Sequence, residues 1–400
     1  MSVAGCRLAF TTGLCCLAAC APGAPAAAPA GPAPTAIVPP SPEQLAAPAP
    51  PAESAQPAAA PSPAAAPLAP VEPRPASPAE TELAAADAAL ERDQLDEAGR
   101  HFERALALAP ADPAARLGAL RLRFAKLGLP LAYAEAPQHP ELQKLVREAE
   151  ALSAAHPDFA PALLEQGQWL IVLGEAPRAR TALERAARLD PRSAEVPSAL
   201  GAAYLATGDT PRALEQFERA VRLGPEPPER WTNYGTALML RGRLSEAIRA
   251  FEHALSLRPD DARSESDLGA AHLANHRPDL ALPHLARATQ LAPERATFLT
   301  NLGYAYELQG QLEKAVETQR KAVALDPKLG SAWINLGNAL AGLKQYEQAE
   351  VALRQAETLD PSDPRPQASL RDLAEVRAKE AAAAAPATGT GPSRAAPAKR

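Results

Sequence analysis

The sequence predicts an all-α protein: a solenoid of paired helices preceded by a disordered linker rich in alanine and proline. Prolines recur every 34 residues through the second half of the chain, and glycines and alanines recur at the same spacing. The composition also changes near residue 80, from alanine and proline to alanine, leucine, arginine and glutamate. The second composition is typical of stacked helices, and a fixed period is the signature of a repeat architecture.

The first nineteen residues have the layout of an export signal. Arg7 precedes a short apolar segment, residues 8–19, which ends in small residues. The sequence Leu17-Ala18-Ala19-Cys20 resembles the lipobox of bacterial lipoproteins. This resemblance implies cleavage after Ala19, acylation of Cys20 and a lipid anchor in the cell envelope. The following residue, Ala21, resembles an outer-membrane address that faces the periplasm, although the sequence leaves the choice between inner and outer membrane open. The alternative is an ordinary signal peptide with a chance cysteine.

Residues 20–79 are predicted to form a disordered tether. A proline occurs every few residues, which prevents helix formation and favours an extended chain. Such a segment lacks the apolar residues that a core requires. It would hold the following domain away from the membrane, although drift toward alanine and proline would leave the same composition.

Four columns of residues repeat every 34 positions. A glycine inside a helix costs about 1 kcal/mol relative to alanine, so a glycine column indicates that a partner helix approaches closely there. Each proline stands where a helix has to end. The columns are Gly167, Gly201, Gly235, Gly269, Gly303 and Gly337; Ala179, Ala213, Ala247, Ala281, Ala315 and Ala349; Ala186, Ala220, Ala254, Ala288, Ala322 and Ala356; and Pro191, Pro225, Pro259, Pro293, Pro327 and Pro361.

The 34-residue unit resembles the tetratricopeptide repeat. The matching residues are Trp231 and Trp333 at the fourth position, Leu302-Gly303 at the seventh and eighth, and Ala213, Phe217 and Ala220 in the second helix. The resemblance implies a right-handed superhelical stack of helix–turn–helix units. It also implies a concave face, lined by the first helices, that binds a protein or an extended peptide.

The register predicts the domain boundaries. Residues 80–363 form the solenoid of about eight repeats, with clean units at 160–193, 194–227, 228–261, 262–295, 296–329 and 330–363. The second unit, residues 113–159, has 47 residues, and we assign its surplus to a loop at 127–140. Residues 364–385 are predicted to cap the stack as a polar helix. Residues 386–400 are predicted to be a disordered tail.

A polar ladder is predicted on the concave face. By the resemblance, the sixth and ninth positions of the first helices point inward, and an asparagine amide can both donate and accept hydrogen bonds. The ladder could therefore pair with the backbone of an extended peptide, unless these are ordinary polar residues of the repeat. Its members are Asn233, Asp267, Asn301 and Asn335 at the sixth position, with Thr236, Tyr304 and Asn338 at the ninth.

Nothing in the sequence indicates an enzyme, a metal site or a cofactor. G-x-S-x-G, G-x-G-x-x-G and phosphate-loop motifs are lacking. His272 and His276 are four residues apart, but no glutamate follows His272 as zinc chemistry of the H-E-x-x-H type requires. The net charge of −6 argues against nucleic-acid binding, which calls for a basic surface.

The sequence therefore predicts a membrane-anchored scaffold that binds a partner protein and assists assembly of an envelope complex. Bacterial lipoproteins of this layout resemble pilotins, which assist secretins of the type IV pilus. The alternative is a periplasmic accessory subunit that recruits a cell-wall enzyme or a glycosyltransferase. The sequence leaves the oligomeric state open.

Overall fold

The computed structural model describes residues 76–129, 134 and 136–384, and this part of the chain contains seventeen helices and no strand. The predicted signal peptide (1–19), Cys20, most of the tether and the tail at 386–400 lie outside the described residues. The first helix begins at Pro78, two residues before the predicted start of the solenoid. None of the described helices has the length and hydropathy to cross a membrane.

The helices are α1 (Pro78–Glu91), α2 (Leu95–Leu108), α3 (Pro113–Lys126), α4 (Pro140–Ala155), α5 (Ala160–Val172), α6 (Ala176–Leu189), α7 (Glu195–Ala206), α8 (Thr210–Leu223), α9 (Pro228–Leu240), α10 (Leu244–Leu257), α11 (Ala262–Ala274), α12 (Pro278–Leu291), α13 (Ala296–Leu308), α14 (Leu312–Leu325), α15 (Gly330–Gly342), α16 (Tyr346–Leu359) and α17 (Pro364–Ala384).

Consecutive helices pair into helix–turn–helix units, from α1 with α2 to α15 with α16. The second helix of each unit then packs against the first helix of the next, so every unit buries its apolar surface on its neighbours. The predicted fold class, an all-α solenoid of repeated helix pairs, is confirmed.

The glycine column lies at the closest contact inside each unit. A Cβ atom at Gly235 would stand 2.7 Å from the Phe251 ring, and one at Gly201 would stand 2.7 Å from the Phe217 ring. Real Cβ atoms do not approach other atoms that closely, so a larger residue would separate the two helices. The close approach explains why glycine stands inside a helix despite its low helix propensity.

The second unit is irregular. α3 ends at Lys126 and α4 begins at Pro140, so the surplus residues lie between them. Two of the described residues in this segment contact the end of α5: the N–H of Ala134 donates to the Ile171 carbonyl at 3.0 Å, and that of Ala136 to the Val172 carbonyl at 3.1 Å. The Val172 carbonyl belongs to the last turn of α5, where carbonyls have no partner within the helix, whereas the Ile171 carbonyl also accepts from the Gly174 N–H at 2.9 Å.

α17 follows the last complete unit and packs against α16 and α15. Leu373 is buried in this contact, while most of the other described side chains of α17 are exposed. Lys344 bonds Glu380 at 2.8 Å, and Arg377 lies 3.3 Å from both Glu347 and Glu350. α17 therefore covers apolar surface on one side and presents a polar surface on the other.

Candidate functional site

The first helices of successive units form a continuous row. α5 contacts α7, α7 contacts α9, and the row continues through α11, α13 and α15. Second helices of neighbouring units share no interface of that size in the described residues. Because the inner side of a curved stack is the more closely packed one, the stack curves toward its first helices. We call the surface formed by α5, α7, α9, α11, α13 and α15 the inner face.

The structure buries most of the predicted ladder. Asn233 is 2% exposed, Asn301 6% and Asn335 7%. Asp267 and Thr236 are buried as well. These side chains are therefore withdrawn from solvent rather than exposed along an open groove.

The buried polar groups connect neighbouring units. The amide of Asn301 in α13 donates to the Ser266 hydroxyl of α11 at 3.3 Å. The hydroxyls of Thr232 in α9 and Ser264 in α11 are 2.9 Å apart. The Asn301 amide is thus already used inside the stack, a role that repeat position alone could not reveal.

Some members of the ninth and twelfth positions of the repeat are accessible on the inner face, although others, such as Thr236 and Leu273, are buried. Tyr304 and Asn338, both predicted as groove residues, are only half-buried. Leu205, Met239 and Glu307 at the twelfth position are half-buried too. A partner on this face would contact these side chains before the buried asparagines.

Acidic side chains on the inner-face helices pair with basic groups, with one exception. Glu165 lies 3.1 Å from Arg121, Glu195 2.7 Å from Arg230, Glu229 2.5 Å from Arg258, Asp267 3.4 Å from Arg263, and Glu265 2.7 Å from His284. The exception is Glu307, near the end of α13.

Glu307 has no basic partner among the described residues, and its Oε2 atom is buried without a hydrogen bond. Burial raises the pKa of its carboxyl from 4.5 to about 7, and no neighbouring charge offsets the effect. Desolvation favours the neutral form of an acid, which is the cause of the shift. Glu307 is not among the site residues predicted from the sequence, although it is the one acidic residue in an otherwise apolar column.

The histidines do not form a metal site in the described part of the chain. His272 is buried and stacks on the ring of His284, with centroids 5.8 Å apart, while His276 is exposed in the following turn. Burial, followed by the charge of His284, lowers the pKa of His272. No three His, Cys, Asp or Glu side chains of the described residues form a group that could hold a metal ion.

Three tetratricopeptide repeat models match consecutive parts of the chain, at residues 200–266, 266–329 and 330–363. The chain therefore contains tetratricopeptide repeats, and the repeat predicted from the sequence is confirmed. No catalytic family is among the matching models. No curated protein sequence matches the chain.

Several solved structures align with this chain. The structure of the APC/C hetero-tetramer Cut9-Hcn1 aligns with a TM-score of 0.59 at 16% identity, over 74% of this chain and 55% of that one, so this chain spans about half of its length. The Pseudomonas aeruginosa pilF structure aligns with a TM-score of 0.47 at 18% identity, over 56% of this chain and 99% of that one. YrrB, described as a TPR protein with an unusual peptide-binding site, aligns with a TM-score of 0.38 at 21% identity, over 50% and 99%.

Proposed function

We propose that this protein is a scaffold that binds a partner protein, through an extended segment, on the inner face of its tetratricopeptide stack. The observation that carries the proposal is the continuous row of first helices, which offers one uninterrupted surface across successive units. Curved repeat stacks use such surfaces for binding.

The half-buried side chains at the ninth and twelfth positions support this proposal. Tyr304 and Asn338 lie on α13 and α15, which contact each other, so one ligand segment could reach both. Tyrosine combines a large apolar ring with a polar hydroxyl, and asparagine both donates and accepts hydrogen bonds. The pair can therefore contact the side chains and the backbone of one extended peptide.

A binding experiment tests the inner face. The probe is a pool of randomised, acetylated and amidated octapeptides, selected on the immobilised full-length chain and measured individually by fluorescence anisotropy. We expect the double variant Tyr304→Ala, Asn338→Ala to bind the selected peptides at least tenfold more weakly than the wild type. Its far-ultraviolet circular dichroism should stay unchanged. Val351→Ala, at a side chain 70% exposed on α16, is the control. Equal affinity for the double variant and the control would contradict the proposal.

We also propose that the stack is held at a membrane by a lipid on Cys20. The support is the sequence Leu17-Ala18-Ala19-Cys20, followed by a proline-rich segment long enough to act as a spacer. Stable anchoring of a protein by lipids requires more than one acyl chain, which lipoprotein processing supplies. Metabolic labelling with a fatty acid should mark the native chain but not Cys20→Ser, and equal labelling would contradict the anchor.

The specific assembly that we propose is an envelope complex of the type IV pilus, in which the scaffold assists a secretin. The support is the layout of the sequence alone, a lipobox followed by a spacer and a tetratricopeptide stack. Deleting the gene should reduce the secretin multimers that resist detergent on a gel. Unchanged multimers would contradict this assembly without affecting the peptide-binding proposal.

A further inference from the structure

The twelfth position of the first helices is an apolar column that one carboxylate interrupts. The column consists of Ile171, Leu205, Met239, Leu273, Glu307 and Ala341. The five apolar members show that the fold does not need a charge at this position. Glu307 therefore stands where packing alone would favour an apolar residue.

Glu307 is placed toward the face that we propose for binding. Thr300, Tyr304 and Glu307 follow one another at spacings of four and three residues, which puts them on one side of α13. Tyr304 is half-buried there, and Leu308 after Glu307 is 47% exposed. The carboxylate is thus next to accessible surface, even though its Oε2 atom is out of contact with solvent.

Glu307 differs from the other acidic side chains of the inner face in its lack of a basic partner among the described residues. Each of the other five acidic side chains on the inner-face helices has an arginine or a histidine within 3.4 Å, whereas the described residues supply none to Glu307. A carboxylate that loses water without gaining a partner is destabilised, and the raised pKa expresses that loss. A cation delivered from outside the chain would restore the missing interaction.

We propose that Glu307 is the acceptor for a positively charged group of the bound partner, a lysine or arginine side chain of an extended segment. This inference rests on the proposed function, because it assigns a charge preference to the same inner face. A charge-assisted hydrogen bond formed away from solvent is stronger than one between neutral groups. The partner segment is therefore basic at the residue that reaches the end of α13.

The experiment compares the same glutamate-to-glutamine substitution at two places, one on the inner face and one at an exposed site. The probe is the octapeptide pool described above, selected on the full-length wild-type chain, on Glu307→Gln and on Glu317→Gln. Glu317 is an exposed acid on the adjacent helix α14, paired with Lys321 at 2.7 Å. The tightest-binding peptide that contains lysine is then measured again with that lysine replaced by norleucine. Norleucine keeps the side-chain carbons of lysine and removes the charged amino group.

For the wild type and for Glu317→Gln we expect the lysine peptide to bind at least about tenfold more tightly than its norleucine counterpart. This factor corresponds to the contribution of one hydrogen bond to a charged group. For Glu307→Gln we expect the two peptides to bind about equally. The norleucine peptide should keep its affinity in all three proteins.

Two results would overturn the inference, and they can be told apart. If peptides bind but the lysine preference is the same in Glu307→Gln, or no preference for lysine exists, Glu307 is not the acceptor and the binding function stands. If no peptide of the pool binds the wild-type chain, both the inference and the peptide-binding function are wrong.

Discussion

Two neighbouring pairs of repeats share one backbone design but differ in what they bury. We call α7–α10 the apolar region and α11–α14 the polar region. In the apolar region, the glycines face the fully buried rings of Phe217 and Phe251. In the polar region the equivalent residues are Leu285 and Gln319.

The polar region also holds buried polar atoms without partners: Nδ1 of His272, Oε2 of Glu307 and Oε1 of Gln319. The apolar region has one such atom, Nε of Arg230, but the same guanidinium bonds the Gly224 carbonyl and Glu195. Local departures from good packing in a regular fold are expected where function is located. The difference therefore favours the polar region as the location of a binding site.

The largest expected effect on stability follows from removing one of the two rings that define the apolar region. Phe251 is fully buried against Gly235, so Phe251→Ala leaves a cavity and loses apolar burial. We expect it to lower the free energy of unfolding by about 3–5 kcal/mol, measured by urea unfolding with circular dichroism. Val351→Ala, on an exposed side chain, should change it by less than about 0.5 kcal/mol. A small loss in Phe251→Ala would show that the contact between ring and glycine is not what holds this unit together.

The sequence could predict the contacts that repeat and could not predict those that occur once. The residues in the columns of Gly235 and Ala247 make helix contacts that every unit requires. They therefore recur at a fixed period that can be recognised in the sequence. The burial of Asn301 depends on a hydroxyl thirty-five residues away, at Ser266, and on the curvature of the stack. The isolation of Glu307 depends on the absence of a basic group near it, which has no period and no motif.

The next prediction concerns the pH dependence that Glu307 gives to the polar region. Its carboxyl has a pKa of about 7 when folded and about 4.5 when unfolded, so the unfolded chain gives up this proton first. The free energy of unfolding should therefore fall as the pH rises between these values, by about 3 kcal/mol in all. Below pH 4.5 the penalty is absent, and above about pH 7 it is complete.

Glu307→Gln isolates this effect. The variant should be more stable than the wild type at pH 8 and should lose the advantage near pH 4.5. The lowered pKa of His272 acts in the opposite direction, because the free energy of unfolding falls when the pH is low enough to protonate that ring. This contribution is common to both proteins and cancels in their difference. Urea unfolding across this pH range is the measurement. Parallel stability curves for the two proteins would mean that the Glu307 carboxyl is not desolvated.

A smaller effect on stability is expected from a substitution that gives the polar region the same buried residue as the neighbouring repeats. Gln319 is fully buried, donates to the Thr300 carbonyl at 2.9 Å and leaves its Oε1 atom without a partner. Gln319→Leu introduces the residue found at the same register in α12 and α16. We expect a gain of about 1–2 kcal/mol in the free energy of unfolding, because an unpaired buried polar atom is removed. Leu285→Gln is the matched reversal and should be destabilising. A loss of stability in Gln319→Leu would indicate that its hydrogen bond outweighs the unpaired oxygen.

The smallest effect lies in the turns between paired helices. In the apolar region these turns contain Gly208 and Gly242, with φ of 78° and 71°, while the polar region has His276 at φ 56° in one turn and Gly310 in the other. A residue with a Cβ is strained in this left-handed conformation by about 1 kcal/mol. Because the His276 side chain is exposed, His276→Gly should raise the free energy of unfolding by up to about 1 kcal/mol, and Gly208→His should lower it by a similar amount. If both changes were neutral, backbone strain would not contribute to the contrast between the regions, which would then lie wholly in their buried side chains.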